Sequence, residues 1–157
     1  MEEKFLEKVE VGTLAIDLGN STTVVAFQNE KDLSPQLLPL STICRSDGEV
    51  PSLIACKKND LPKYLVGQEV SELDFIQKQG VFISSDFKRW IGSTHSFQST
   101  LSPEKSGEIL LHKIWERIPI NIKVKRLVLT APVETYRSYR AWLRSACDAL
   151  PVDEIAL

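Results

Sequence analysis

The residues best suited to chemistry lie together in one short polar turn near the start of the chain. Asp17 interrupts an apolar run, where a carboxylate is costly unless water, a hydrogen bond or a metal satisfies it. Gly19 lets the backbone turn tightly and approach a ligand, and Asn20, Ser21 and Thr22 add an amide, hydroxyls and N–H groups. Such a turn can hold phosphate oxygens while the carboxylate takes Mg²⁺, directly or through water. A plain hairpin turn, with Asp17 accepting local backbone bonds, explains the same residues equally well.

Two common nucleotide-binding loops are excluded at this position. No Gly-Lys-Ser/Thr follows the turn, and the turn leads into a strand-like run, whereas a Walker loop leads into a helix. The Gly-x-Gly-x-x-Gly pattern of dinucleotide-binding folds is missing as well.

Lys88 is the second candidate, because Phe87, Trp90 and Ile91 flank it. An ammonium group held by apolar neighbours can stabilise the charge that develops on a transferred phosphoryl group. The alternative is an exposed lysine whose aliphatic stem covers Trp90.

Antiparallel strands are predicted to position these residues in the first third of the chain. Residues 14–16 and 24–27 favour strands that pair as a hairpin around the polar turn. A second hairpin is predicted from residues 36–44 and 50–56, with residues 46–49 as its turn. A short strand at 64–66 and a helix over 68–79 follow.

Helices and strands alternate in the second half. Ser102 and Pro103 begin a helix that ends at Pro119, and residues 126–131 form a strand. A second helix is predicted over 135–150 and a last strand over 152–157. The order indicates an α/β fold, a mixed sheet with flanking helices. Because the chain ends in an apolar strand-like run, we expect it to be part of a longer protein.

Composition excludes several classes of protein. Of 157 residues, 25% are charged and the net charge is −2, so no strong field attracts nucleic acid. The three cysteines, Cys44, Cys56 and Cys147, have neither disulfide-framework nor zinc-site spacing. No signal peptide and no membrane-spanning run is visible. We therefore expect a cytoplasmic protein without membrane or nucleic-acid partners.

Four stretches, in order, resemble the ATPase domain of the heat-shock protein 70 (DnaK-type) chaperones. Residues 15–26 (AIDLGNSTTVVA) are similar to that family's first phosphate segment. Residues 50–55 (VPSLIA) and 87–92 (FKRWIG) are similar to its Thr-Pro-Ser-x-Val-Ala and Lys-Arg-Leu-Ile-Gly segments. Residues 127–132 (LVLTAP), followed by Arg140, resemble the strand ending in Thr-Val-Pro and the helix after it.

The resemblance implies the first lobe of an actin-like (ribonuclease H-like) ATPase domain over residues 13–157, after an N-terminal extension of residues 1–12. A small outer subdomain would span roughly residues 40–120. Asp17 would hold Mg²⁺ through water, residues 19–22 would hold the phosphates of ATP or ADP, and Lys88 would orient the attacking water. ATP hydrolysis would control binding of unfolded peptides, assisted by co-chaperones. Pro132 and Arg140 would relay the nucleotide state, although Arg137 competes with Arg140 for this register.

The chain departs from the family pattern at several points. Asn20 and Ser21 replace two threonines, residues 133–135 replace Ala-Tyr-Phe, and the segment between Gly92 and Ser102 is short. An actin-like fold grips nucleotide between two lobes, so we expect this chain alone to bind ATP weakly and to hydrolyse little. Two alternatives remain open: a scaffold that binds nucleotide without hydrolysis, and a small-molecule kinase of the same superfamily.

Overall fold

The computed structural model describes residues 8–32, 34–57, 64–94, 100–131 and 136–157, and every structural statement below refers to these. They form nine strands, four α-helices and one short 3-10 helix, Lys88–Trp90. The strands are β1 (Glu10–Asp17), β2 (Thr22–Asn29), β3 (Gln36–Leu37), β4 (Glu49–Pro51), β5 (Leu53–Lys57), β6 (Tyr64–Val66), β7 (Val81–Ser85), β8 (Ile122–Leu129) and β9 (Glu154–Ala156). The helices are α1 (Gln68–Ser71), α2 (Phe75–Gln79), α3 (Pro103–Glu116) and α4 (Tyr136–Cys147).

The larger sheet is mixed and has six strands. Its order is β3-β2-β1-β8-β9, and β4 also pairs with β2. β1 is antiparallel to β2 and parallel to β8, and β8 is parallel to β9. A smaller antiparallel sheet has the order β6-β5-β7. The predicted α/β fold with a mixed sheet and helices is therefore confirmed at this level.

The central strands show why the sequence forms them. In β1 the residues Gly12, Leu14 and Ile16 are buried and alternate with half-buried ones, the period-two pattern of a strand. β1 begins at Glu10, inside the range expected to precede the first lobe. The predicted hairpin of β1 and β2 is confirmed, with Leu14 opposite Phe27 and Asp17 opposite Val24.

The second predicted hairpin is wrong. Residues 36–44 and 50–56 do not pair with each other, because β3 and β4 both pair with β2. The turn between them does close, since the N–H of Glu49 donates to the carbonyl oxygen of Ser46 at 2.9 Å. Residues 53–57 instead join β6 and β7 in the smaller sheet. A turn sequence is a local signal. It cannot reveal that the eight-residue strand β2 offers β3 and β4 a longer edge to pair with.

Other predictions are confirmed or corrected in detail. Ser102 caps α3 by accepting from the N–H of Lys105 at 3.1 Å, with Pro103 in the first turn. The single helix predicted over residues 68–79 is two short helices, and α2 begins at an Asp74 capping box. β7 was not predicted. β8 begins four residues earlier than expected, and α4 starts at Tyr136, next to residues outside the described ranges.

One main core joins the large sheet to the helices. Phe87, Ile91, Ile114, Leu127 and Tyr139 are each fully buried in it. α3 contacts β5, β6, α4 and the 3-10 helix. A Cβ on Gly107 of α3 would lie 2.5 Å from the Trp142 ring, so α4 packs closely on α3. This packing fixes the position of the 3-10 helix, which follows β7, relative to the sheet that carries the polar turn.

Candidate functional site

The polar turn between β1 and β2 is tight because of Gly19. A Cβ at Gly19 would lie only 2.1 Å from the carbonyl oxygen of Thr22, so a larger residue cannot fit without moving the backbone. Asp17 is exposed at the end of β1, Asn20 and Ser21 are exposed in the turn, and Thr22 begins β2. The structure thus brings together five of the predicted site residues.

Asp17 is held by the residue that directly follows the neighbouring parallel strand β8. The hydroxyl of Thr130 donates to Oδ1 of Asp17 at 2.5 Å, and the N–H of Thr130 donates to the carbonyl oxygen of Ile16 at 3.3 Å. Among the described residues no group bonds the second carboxylate oxygen. The sequence did not single out Thr130, since only the parallel register of β1 and β8 places it beside Asp17.

Ser52 holds the turn in place through two hydrogen bonds. Its hydroxyl donates to the carbonyl oxygen of Gly19 at 2.7 Å, and its N–H donates to the carbonyl oxygen of Ser21 at 2.9 Å. The hydroxyls of Ser52 and Thr23 lie 2.9 Å apart. Because the Ser52 proton is used on Gly19, Thr23 is the donor in that pair. Both side chains are buried, so the turn is anchored to the start of β5.

An open cleft of about 730 Å³ lies beside this turn. Asn20 and Ser21 line one part of it, and Arg45, Asp86 and Arg89 line another. The remaining lining residues are small, polar or apolar: Pro51, Ser52, Leu53, Gln68, Ser71 and Ser85. A volume of this size lies in the range of about 300–1,000 Å³ that small-molecule sites occupy.

The two arginines of the cleft each pair with one carboxylate. Nη2 of Arg45 lies 3.0 Å from Glu49, and Nε of Arg89 lies 3.0 Å from Asp86. Hydrogen bonds from Arg45 and Ser46 lower the pKa of the exposed Glu49, which therefore stays charged. Exposed pairs of this kind contribute little to stability.

Lys88 is less directly placed than the sequence suggests. It is half-buried in the 3-10 helix, between the fully buried Phe87 and the half-buried Trp90. Its neighbours Asp86 and Arg89 line the cleft, but Lys88 is not among the described lining residues. The structure brings its segment to the turn without bringing its side chain into the described cleft.

Tyr139 lies in α4. It is fully buried, and its hydroxyl has no hydrogen-bond partner among the described residues. Burial raises its pKa well above the ordinary value, and the negative charge of Asp17 adds to this effect.

The predicted relay can be followed only in part. Pro132 lies outside the described residues. Arg140 is half-buried and Arg137 exposed on α4, which leaves the choice between them open. His112 has a structural contact, with Nε2 lying 2.9 Å from the carbonyl oxygen of Ala146.

Of the predicted site residues, Asp17 is the one carboxylate that could bind magnesium. In the described part of the chain, no group of three or more His, Cys, Asp or Glu side chains could enclose a metal ion. Magnesium commonly uses one or two carboxylates, several waters and the phosphates of its substrate. One exposed carboxylate beside a turn with exposed polar residues is compatible with that kind of coordination. As for membranes, none of the described helices combines the length and the apolarity that a span requires.

No protein-family model matches this chain, and a comparison with curated proteins gives no match either. The resemblance to the heat-shock protein 70 chaperones therefore rests on the four quoted motifs and stays a prediction.

Proposed function

We propose that this chain is the first lobe of an actin-like ATPase domain in a cytoplasmic chaperone of the heat-shock protein 70 type. The turn of residues 19–22 holds the phosphates of ATP or ADP, and Asp17 holds Mg²⁺ through water. Hydrolysis in the whole protein then controls binding of unfolded peptides and the response to co-chaperones.

One observation carries the proposal: an exposed carboxylate at the end of β1, fixed by Thr130, stands at a glycine turn that borders an open cleft. Bound magnesium supplies positive charge that draws phosphate oxygens toward the turn. Asp17 orients that ion, while the Ser52 anchor keeps the backbone of Gly19 and Ser21 in place.

The binding step is tested by titrating the chain with ATP, with and without Mg²⁺, and following backbone amide shifts by NMR. We expect shifts at Asn20, Ser21 and Thr22 that grow with Mg²⁺. Asp17→Asn should abolish the magnesium dependence while keeping a hydrogen bond from Thr130. Asp148→Asn, an exposed acid after α4, is the matched control. Magnesium dependence that survives Asp17→Asn would refute the assignment.

The hydrolysis step is tested in the whole protein that carries this chain, by single-turnover kinetics. Lys88→Ala should slow hydrolysis about a hundredfold if Lys88 stabilises the transferred phosphoryl group. Lys78→Ala, an exposed lysine of α2, should leave the rate unchanged.

The scaffold alternative has one observation in its favour, because Lys88 is not among the described residues lining the cleft. ATP binding without hydrolysis above the uncatalysed rate would establish that alternative. Equal rates for Lys88→Ala and the unchanged protein would keep the ATPase and reject the role of Lys88.

A further inference from the structure

Exposed apolar side chains are concentrated in α2 and β7. Of the seven large apolar side chains that are exposed among the described residues, four lie in this short part of the chain. Phe75 and Ile76 of α2 are 79% and 77% exposed, and Phe82 and Ile83 of β7 are each 43% exposed. α2 contacts β7, so the four side chains belong to one surface, the α2–β7 surface. Clustered exposed apolar side chains mark interaction sites, whereas singly scattered ones need no explanation.

The helix α2 is well defined although it buries none of its residues. Asp74 caps it, since Oδ1 of Asp74 accepts from the N–H of Gln77 at 2.8 Å and the N–H of Asp74 donates to Oε1 of Gln77 at 2.9 Å. Most helices in proteins are stabilised by packing of an apolar face. Contact with another molecule would supply the packing that Phe75 and Ile76 lack within the described chain.

The strand β7 gives this surface an uncharged edge. Among the described strands, β7 is an outer strand of the smaller sheet, whose order is β6-β5-β7. Its residues 81–85 (VFISS) carry no charge, whereas charged side chains are a common device that keeps edge strands from associating. Two such edges can therefore approach each other without repulsion between like charges.

The charges of α2 favour a second copy of this chain as the partner. Asp74 caps the start of the helix, and Lys78 lies in its last turn. Neither forms an ion pair with another described residue. When two copies of α2 lie antiparallel, each Asp74 stands beside Lys78 of the other copy, so both contacts are attractive. The surface is therefore complementary to itself in charge as well as in its apolar residues.

We propose that two copies of this chain pair through the α2–β7 surface, with the two α2 helices antiparallel across a two-fold axis. Phe75 and Ile76 of each copy pack against the same residues of the other, as a two-fold axis requires. None of the described residues lining the cleft beside the polar turn belongs to α2, so pairing is independent of the proposed nucleotide function. Substitutions in α2 should change pairing without changing hydrolysis. Because the surface is small, the dimer is expected to be transient and concentration-dependent.

The pairing is tested by sedimentation equilibrium of the chain at concentrations from about 10 µM to about 1 mM. We expect the average mass to rise from that of the monomer toward that of the dimer. Ile76→Asp should abolish this rise, because it places a charge in the apolar contact. Ile120→Asp is the matched control, since Ile120 is 99% exposed but lies before β8, and it should pair like the unchanged chain. Thermal unfolding of each variant checks that it remains folded.

Lys78→Glu tests the antiparallel arrangement, because it places two like charges beside each other at both Asp74 contacts. We expect the dimer to weaken about tenfold. Lys31→Glu, at an exposed position after β2, changes the net charge equally and should have little effect. A chain that stays monomeric up to about 1 mM, or a dimer that Ile76→Asp leaves intact, would overturn the proposal. Equal weakening by the two lysine variants would reduce the effect to net charge and overturn the antiparallel pairing of α2.

Discussion

The hydroxyl of Thr130, which directly follows β8, donates to the carboxylate of Asp17 at 2.5 Å, although the two residues are 113 positions apart in the sequence. The contact fixes one carboxylate oxygen and leaves the other without a described partner. Thr130 is thus a positioning residue for the group that we propose binds magnesium.

Replacing Thr130 by valine tests this role, because valine keeps the shape and removes the donor. Supporting residues around a metal ligand typically contribute tenfold or more to metal affinity, so we expect magnesium-dependent ATP binding to weaken about tenfold. The free energy of unfolding should change little, since both side chains are exposed. NMR titration with MgATP measures the first and urea denaturation the second. Thr100→Val is the control at an exposed position. Unchanged magnesium affinity would remove Thr130 from the site.

Gly19→Ala should distort the turn. The added Cβ would lie 2.1 Å from the carbonyl oxygen of Thr22, and relieving such a clash costs about 1–3 kcal/mol of folding free energy. Gly80→Ala is the matched control, since its Cβ would meet Gln77 at an ordinary 3.5 Å. Urea denaturation compares the two variants. Equal stability of the two variants would show that the turn accommodates a Cβ at Gly19 without loss of folding free energy.

Ser52→Ala should loosen the anchor beneath the turn. It removes the donor to Gly19 and the acceptor for Thr23, and unpaired buried polar groups cost about 1–3 kcal/mol. Ser41→Ala, at an exposed position, should stay within about 0.5 kcal/mol of the unchanged protein. The same denaturation experiment applies. If the Ser52 variant matched its control, water would be replacing both bonds.

Alkaline pH should destabilise the fold through two buried groups. Burial raises the pKa of Tyr139 above its ordinary value of 10.0, and raises the pKa of the Cys147 thiol from 9.0 to about 11. A raised folded-state pKa means that stability is fully present below the unfolded-state value and is lost as pH rises above it. We therefore expect the free energy of unfolding to fall from pH 9 upward.

Tyr139→Phe separates the two contributions. Near pH 7 it should be neutral or stabilising, because it removes a buried hydroxyl that has no described partner. Above the ordinary tyrosine pKa of 10.0 it should lose less stability than the unchanged protein, while the Cys147 contribution remains. Urea denaturation at a series of pH values measures both effects. An identical alkaline loss in the two proteins would exclude Tyr139 as a cause.

The sequence by itself determined the local features. Alternating apolar residues defined β1 and β2, Gly19 with its polar neighbours defined the turn, and Ser102 with Pro103 defined the start of α3. Each depends on residues a few positions apart, where turn chemistry, capping and periodicity act directly.

Only the tertiary structure decided what surrounds the turn. The pairing of β3 and β4 with β2, the support from Ser52 and Thr130, and the entry of Arg45 and Arg89 into one cleft all join distant segments. Strand partners are chosen by which edges and buried faces meet in three dimensions, and no local pattern encodes that choice. The candidate turn could therefore be predicted from its own residues, whereas its anchors could not.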